Sequence, residues 1–184
     1  MQLLDVLTLN QEPQTRGELT ETIKEALAYF PEQMWEGVNY LGNINIDHHL
    51  RIKSREELHG AFIVNGLVEK LRELKRLLDI RELLLALTQD PVIITYYHYE
   101  LNRFRRIINL VRDYVAKDVG MISLFETEDE TAVRIAAHGL GHNQGLSHHQ
   151  EPVGLMYVGL LDGSPIIKNG FCDDCKTKLE STLA

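Results

Sequence analysis

The chain has 184 residues, 44% of them hydrophobic and 25% charged, a composition that suits one folded domain over 1–184 and excludes a disordered or fibrous chain. Nineteen Lys and Arg against 27 Asp and Glu leave a net charge of −8, the wrong sign for neutralising a phosphate backbone, so no nucleic acid is expected as partner. No run approaches the ~20 apolar residues of a membrane helix, and residues 1–10 carry no basic stretch before their apolar run, so no membrane association and a cytoplasmic location are expected.

Residues 2–9, rich in Leu, Val and Thr and closed by Asn10 and Pro13, read as a buried strand. Leu19, Ile23, Leu27 and Phe30 then form one helical stripe over 18–30, which Pro31 stops. Alternating Ile and polar residues suggest strands near 42–47 and 49–52. Leu67, Leu71, Leu74 and Leu78 predict a helix over 66–78, and the apolar run 82–88, closed by Asp90-Pro91, predicts an interior strand. Residues 103–115 suit either a helix or an edge strand over 106–111. A strand over 119–125 leads into Thr127-Glu128-Asp129-Glu130, which has the form of a capping box opening a helix at about 127–144. Strands alternating with helices indicate an α/β fold in which a mixed sheet packs with helices.

That last helix carries the chemistry. His138 and His142 lie four apart, one turn along the same helix face, so their imidazoles can converge on one ion. A tetrahedral zinc site needs a third nitrogen ~2.0–2.1 Å from the metal, and the chain must reverse to deliver it. Gly145 provides that reversal, because glycine enters the left-handed conformation at little steric cost, and His148 can then swing back. Met156, eight residues past His148, offers an apolar floor. An isolated pair of histidines on a helix is usually surface decoration, but here four spaced elements agree. Gly139 and Gly141 each cost about 1 kcal/mol relative to Ala in a helix, which helix formation alone does not explain.

His138, His142, Gly145 and His148, followed by Leu155-Met156 and the terminal Cys172-x2-Cys175, resemble the archaemetzincins, a branch of the metzincin-type zinc metallopeptidases. The resemblance spans about 137–175. It implies a single compact metzincin-like α/β domain, hydrolase activity on a peptide or protein substrate, a catalytic-type zinc on the three histidines, and a second, structural zinc held by four cysteines.

Three positions depart from the family pattern. Where its helix carries Glu after the first histidine, this chain has Gly139, and of its four cysteine positions the first falls on His149 and the second on Gly154. Gly139 can neither take a proton from water nor pass it to a leaving amine. General acid–base catalysis contributes roughly 10²–10⁴-fold, so impaired peptide hydrolysis is expected. Glu151, three residues past His148, is the candidate substitute, since Glu128, Asp129 and Glu130 begin the helix two turns or more before His138. His149, Cys172 and Cys175 remain a three-donor set for a second ion, with water, Glu151 or Asp173 as fourth. The alternative for the two cysteines is a free dithiol or redox pair, and Asp173 and Asp174 between them should raise the thiol pKa, against a reactive thiolate.

Among weaker features, the basic run at 103–106 reads as a solvated face. Tyr96, Tyr97 and Tyr99 read as core packing or a cleft lining, and His48, His49 and His98 as structural or exposed. Tyr157, beside Met156, has no direction fixed by the sequence. Beyond a peptidase, the pattern admits a non-catalytic zinc protein that binds a peptide in the same cleft, and a metal-storage or sensing module.

Overall fold

The computed structural model describes residues 2–100, 103–127 and 129–183. β1 (Gln2–Leu9) leads into α1 (Pro13–Leu27), β2 (Trp35–Ile44), β3 (Leu50–Ser54), β4 (Glu57–Ile63) and α2 (Val64–Leu77). β5 (Leu84–Thr88), β6 (Val92–Glu100), β7 (Arg103–Leu110), β8 (Asp113–Val115) and β9 (Val119–Ser123) follow, then α3 (Asp129–Asn143) and α4 (Asp173–Ser181). The fold is mixed α/β, with one five-stranded sheet in the order β2-β1-β5-β9-β8 and one four-stranded sheet in the order β3-β4-β6-β7.

β2, β1, β5 and β9 are parallel, and β8 turns back antiparallel to β9 at the edge. The central strands are buried on both faces, which is why they read as near-continuous apolar runs. Leu85, Leu87 and Ile122 join Leu19 and Ile23 of α1 and Ala136 and Leu140 of α3 in one core. Leu84, Ala86 and Met121 turn to the other face and meet Leu67, Val68 and Leu71 of α2. α3 therefore lies against the sheet next to the edge strand β8, the placement on which the site depends.

Several local expectations shift. α1 starts at Pro13, five residues before the expected start at 18, and the fixed φ of proline suits the first helical position. The second strand runs over Trp35–Ile44 rather than near 42–47. β4, β6 and α4 carry weak local patterns and were absent from the sequence reading. The ambiguous 103–115 segment is two strands, β7 and β8: pairing of β7 with β6 along its whole length overrides the helical spacing of its apolar residues. The aromatic residues of β6 are not core. Tyr96, Tyr97 and Tyr99 lie on the outer part of the β6–β7 hairpin and are exposed. The capping box does not close as expected among the described residues: the Thr127 hydroxyl donates to the Phe125 carbonyl, and the Glu130 carboxylate accepts from Arg134 and Asn169. No helix is long and apolar enough to cross a membrane among the described residues.

Candidate metal centre

α3 presents His138 and His142 one turn apart, and its end is built as the sequence suggests. Gly145 has φ +81. Its amide donates to the His142 carbonyl and the Leu146 amide to the Gly141 carbonyl, at 3.0 Å each. These are the two bonds of a Schellman motif, which reverses the chain and satisfies the helix's last carbonyls. The reversal brings His148 back: its Nε2 lies 2.9 Å from the Nε2 atoms of both His138 and His142, which are 3.1 Å from each other.

The tautomers follow from the other ring nitrogens. His138 Nδ1 lies 2.7 Å from the Leu155 carbonyl oxygen and His142 Nδ1 3.0 Å from that of Leu146. A carbonyl only accepts, so both Nδ1 atoms carry the proton and both Nε2 atoms expose a lone pair. Two lone pairs facing each other at 3.1 Å repel, and His148 can give a proton to only one of them. The donor set fits a divalent cation held by three neutral imidazoles oriented by backbone carbonyls. Burial pulls the His138 pKa down to about 4 and, with the neighbouring imidazoles, lowers that of His148, so these two rings stay neutral near pH 7.

Compared with solved structures, the chain matches the archaemetzincin of Methanopyrus kandleri with a TM-score of 0.67 at 19% identity, over 98% of this chain and 94% of that one. The fold is that of an archaemetzincin. It also matches a zinc-dependent peptidase from Methanocorpusculum labreanum with a TM-score of 0.60 at 18% identity, over 95% of this chain and 99% of that one. No family model and no curated protein sequence matches the chain.

The two glycines of α3 acquire a physical reason. A methyl group on Gly141 would sit 2.8 Å from Met156 Sδ and 3.2 Å from the Phe171 ring, so Met156, fully buried, packs against α3 here only if position 141 has no side chain. A methyl on Gly139 would sit 3.2 Å from both Cβ and Oδ2 of Asp113 and 3.3 Å from Val115 Cγ2, both residues on β8. These close approaches explain why the ~1 kcal/mol helix penalty of each glycine is tolerated. Asp113 was missed by sequence reading, since its strand is only three residues long and no motif marks it. Burial pushes its carboxyl pKa up, opposed by the charges of His142 and His148.

The second cluster also assembles. The ligand atoms of His149, Cys172 and Cys175 lie within 4.8 Å of one another. His149 Nδ1 donates to the Glu151 carbonyl at 2.8 Å, which leaves Nε2 as a buried acceptor with no hydrogen-bond partner. Such an orphan is costly unless a cation or thiol proton meets it. The Cys175 thiol is pushed up to about 12, chiefly by burial and next by Cys172, with Asp174 contributing least. The direction expected from the acids holds, but burial is its main cause. At position 154 a side chain would meet the Gly170 carbonyl oxygen at 2.6 Å and the Cys172 amide at 2.9 Å, so this backbone leaves no room there for a further cysteine.

The remaining candidates lie elsewhere. Glu151 is exposed and outside both clusters, and Asp173 is exposed and paired with Lys168 at 2.7 Å. Glu128 lies outside the described residues. The Tyr157 ring packs against Gly159. His48 bonds Asp90 at 2.8 Å, and His49 Nδ1 accepts the Ile63 amide, both structural roles.

Proposed function

We propose that the protein is a zinc-binding protein of the metallopeptidase type that acts on peptides, with a catalytic-type zinc on His138, His142 and His148 and a second, structural zinc on His149, Cys172 and Cys175. The observation that carries the reading is the convergence of three Nε2 atoms within 3.1 Å, two of them fixed as lone-pair donors by carbonyls on their far nitrogens. When bound, zinc polarises the scissile carbonyl and acidifies water. The likeness to a zinc-dependent peptidase fold supports the same chemistry.

The chain's own contributions are binding and orientation. β8 is the edge of its sheet, so its outer backbone groups can pair with an extended peptide. A groove of about 930 Å³ runs beside it, lined by Asp113, Thr131, Ile135, Val158 and Leu161. A peptide paired to β8 passes beside the histidines, with its side chains in this groove. α3 itself supplies no base at position 139, so hydrolysis is slow relative to a site with a helix carboxylate, by roughly 10²–10⁴-fold if nothing replaces it.

The glycine at 139 also favours a second reading, a zinc-dependent peptide-binding protein without catalysis. Elemental analysis of protein purified without added metal, followed by a broad peptide-cleavage screen with and without chelator, separates them. Chelator-sensitive cleavage supports the peptidase. Zinc without cleavage, together with peptide binding, supports the second reading.

A further inference from the structure

We propose that Asp113 is the general base of this site, a carboxylate delivered from the sheet edge into the space that Gly139 leaves beside the histidines. The inference rests on the peptidase reading and names the residue that carries its proton transfer. The β position of Gly139 lies 3.2 Å from both Cβ and Oδ2 of Asp113. A side chain on the helix and the Asp113 carboxylate thus compete for one space, and this chain fills it from β8.

Three observations set Asp113 apart from the other acids. It lines the groove beside the edge strand, and its carboxylate reaches the helix at the position that directly follows His138. It is not a member of the cluster that His138, His142 and His148 form, so its carboxylate lies outside the ligand set. Glu151 and Asp173 are exposed outside the centre, and Glu130 is tied to Arg134 and Asn169.

The step balances without a further reactant. As the oxygen of a water molecule bonds to the scissile carbonyl carbon, one of its protons passes to the Asp113 carboxylate. As the carbon–nitrogen bond breaks, that proton passes to the leaving nitrogen. The products are a carboxylic acid and an amine, and Asp113 is again a carboxylate.

The test uses the zinc-loaded full chain as wild type, Asp113→Asn and Asp113→Glu. Metal per chain and thermal midpoint are measured for each, with chelator-sensitive cleavage of a mixed peptide pool. Calorimetry of a peptide hydroxamic acid in two buffers of different ionisation enthalpy counts the protons released on binding. Asp113→Asn should keep its zinc and its midpoint while cleavage falls roughly 10²-fold, and Asp113→Glu should retain much of it. The hydroxamic proton should stay in the wild-type site, whereas Asp113→Asn should release about one more proton to the buffer, because an amide cannot accept it. Cleavage unchanged in Asp113→Asn, or lost only together with zinc, overturns the proposal. If the zinc-loaded wild type cleaves nothing, the peptidase reading fails by itself and the proton count decides on Asp113. Equal proton release in wild type and Asp113→Asn, or no hydroxamate binding to the zinc-loaded wild type, then overturns its role.

Discussion

His148 and His149 are neighbours in the chain, yet their imidazoles enter different clusters. Nε2 of His148 meets those of His138 and His142 at 2.9 Å, and Nε2 of His149 lies with the sulfurs of Cys172 and Cys175. An extended segment points successive side chains to opposite sides, which makes this division natural. The backbone between them is tied down: the His149 amide donates to the Met156 carbonyl at 3.0 Å and the Val158 amide to the His149 carbonyl at 3.1 Å. The two candidate metal positions are therefore mechanically linked.

Replacing Cys172 and Cys175 together by Ser is expected to lower the zinc content. Through the linkage it should also weaken zinc at the histidines by about 10-fold or more, as loss of an orienting partner commonly does. Competition with a chromogenic chelator measures both. Equal zinc counts before and after the substitution would remove the second site.

His142→Ala should cost one zinc per chain, since two imidazoles on one helix do not complete a tetrahedral site. Stripping the metal from the unmodified protein should lower its thermal midpoint, because the lone pairs of His138 and His142 are left facing each other at 3.1 Å. Elemental analysis and a melting curve check the pair; a metal content indifferent to His142→Ala would refute the assignment.

Gly141→Ala should destabilise the protein although Ala is the better helix former by about 1 kcal/mol. The added methyl meets Met156 Sδ at 2.8 Å and the Phe171 ring at 3.2 Å in a core with no slack, and overpacking of this kind costs ~1–3 kcal/mol. The melting temperature should fall, and a rise would show that Met156 moves aside freely.

Gly139→Glu alone should restore little hydrolysis. The position has no side chain to clash on its own helix, but its β carbon meets Asp113 at 3.2 Å and two carboxylates would share one space. Combining Gly139→Glu with Asp113→Gly empties that space, and the double variant should exceed Gly139→Glu by roughly 10-fold or more in chelator-sensitive cleavage, since a positioned base is worth at least that much. Equal rates in the two variants would mean that the carboxylates do not interfere.

The sequence by itself determined what local geometry fixes. The pairing of His138 with His142 follows from 3.6 residues per turn, and the return of His148 follows from a glycine at the position where a helix can end in the left-handed region. The buried strands β1, β5 and β9 were legible because parallel strands covered on both faces are almost continuously apolar. Tertiary structure decided the rest. Residues 103–110 became strand because β6 was available to pair with them, a partner no local pattern reveals. Tyr97 and Tyr99 became surface because they lie on the part of the hairpin that extends beyond the core. Gly139 and Gly141 looked like unexplained costs until Asp113 and Met156, delivered by other elements, occupied the space beside them. Contacts between residues distant in the chain depend on how strands and helices pack, so the sequence could mark the missing carboxylate at position 139 but only the fold could place another beside it.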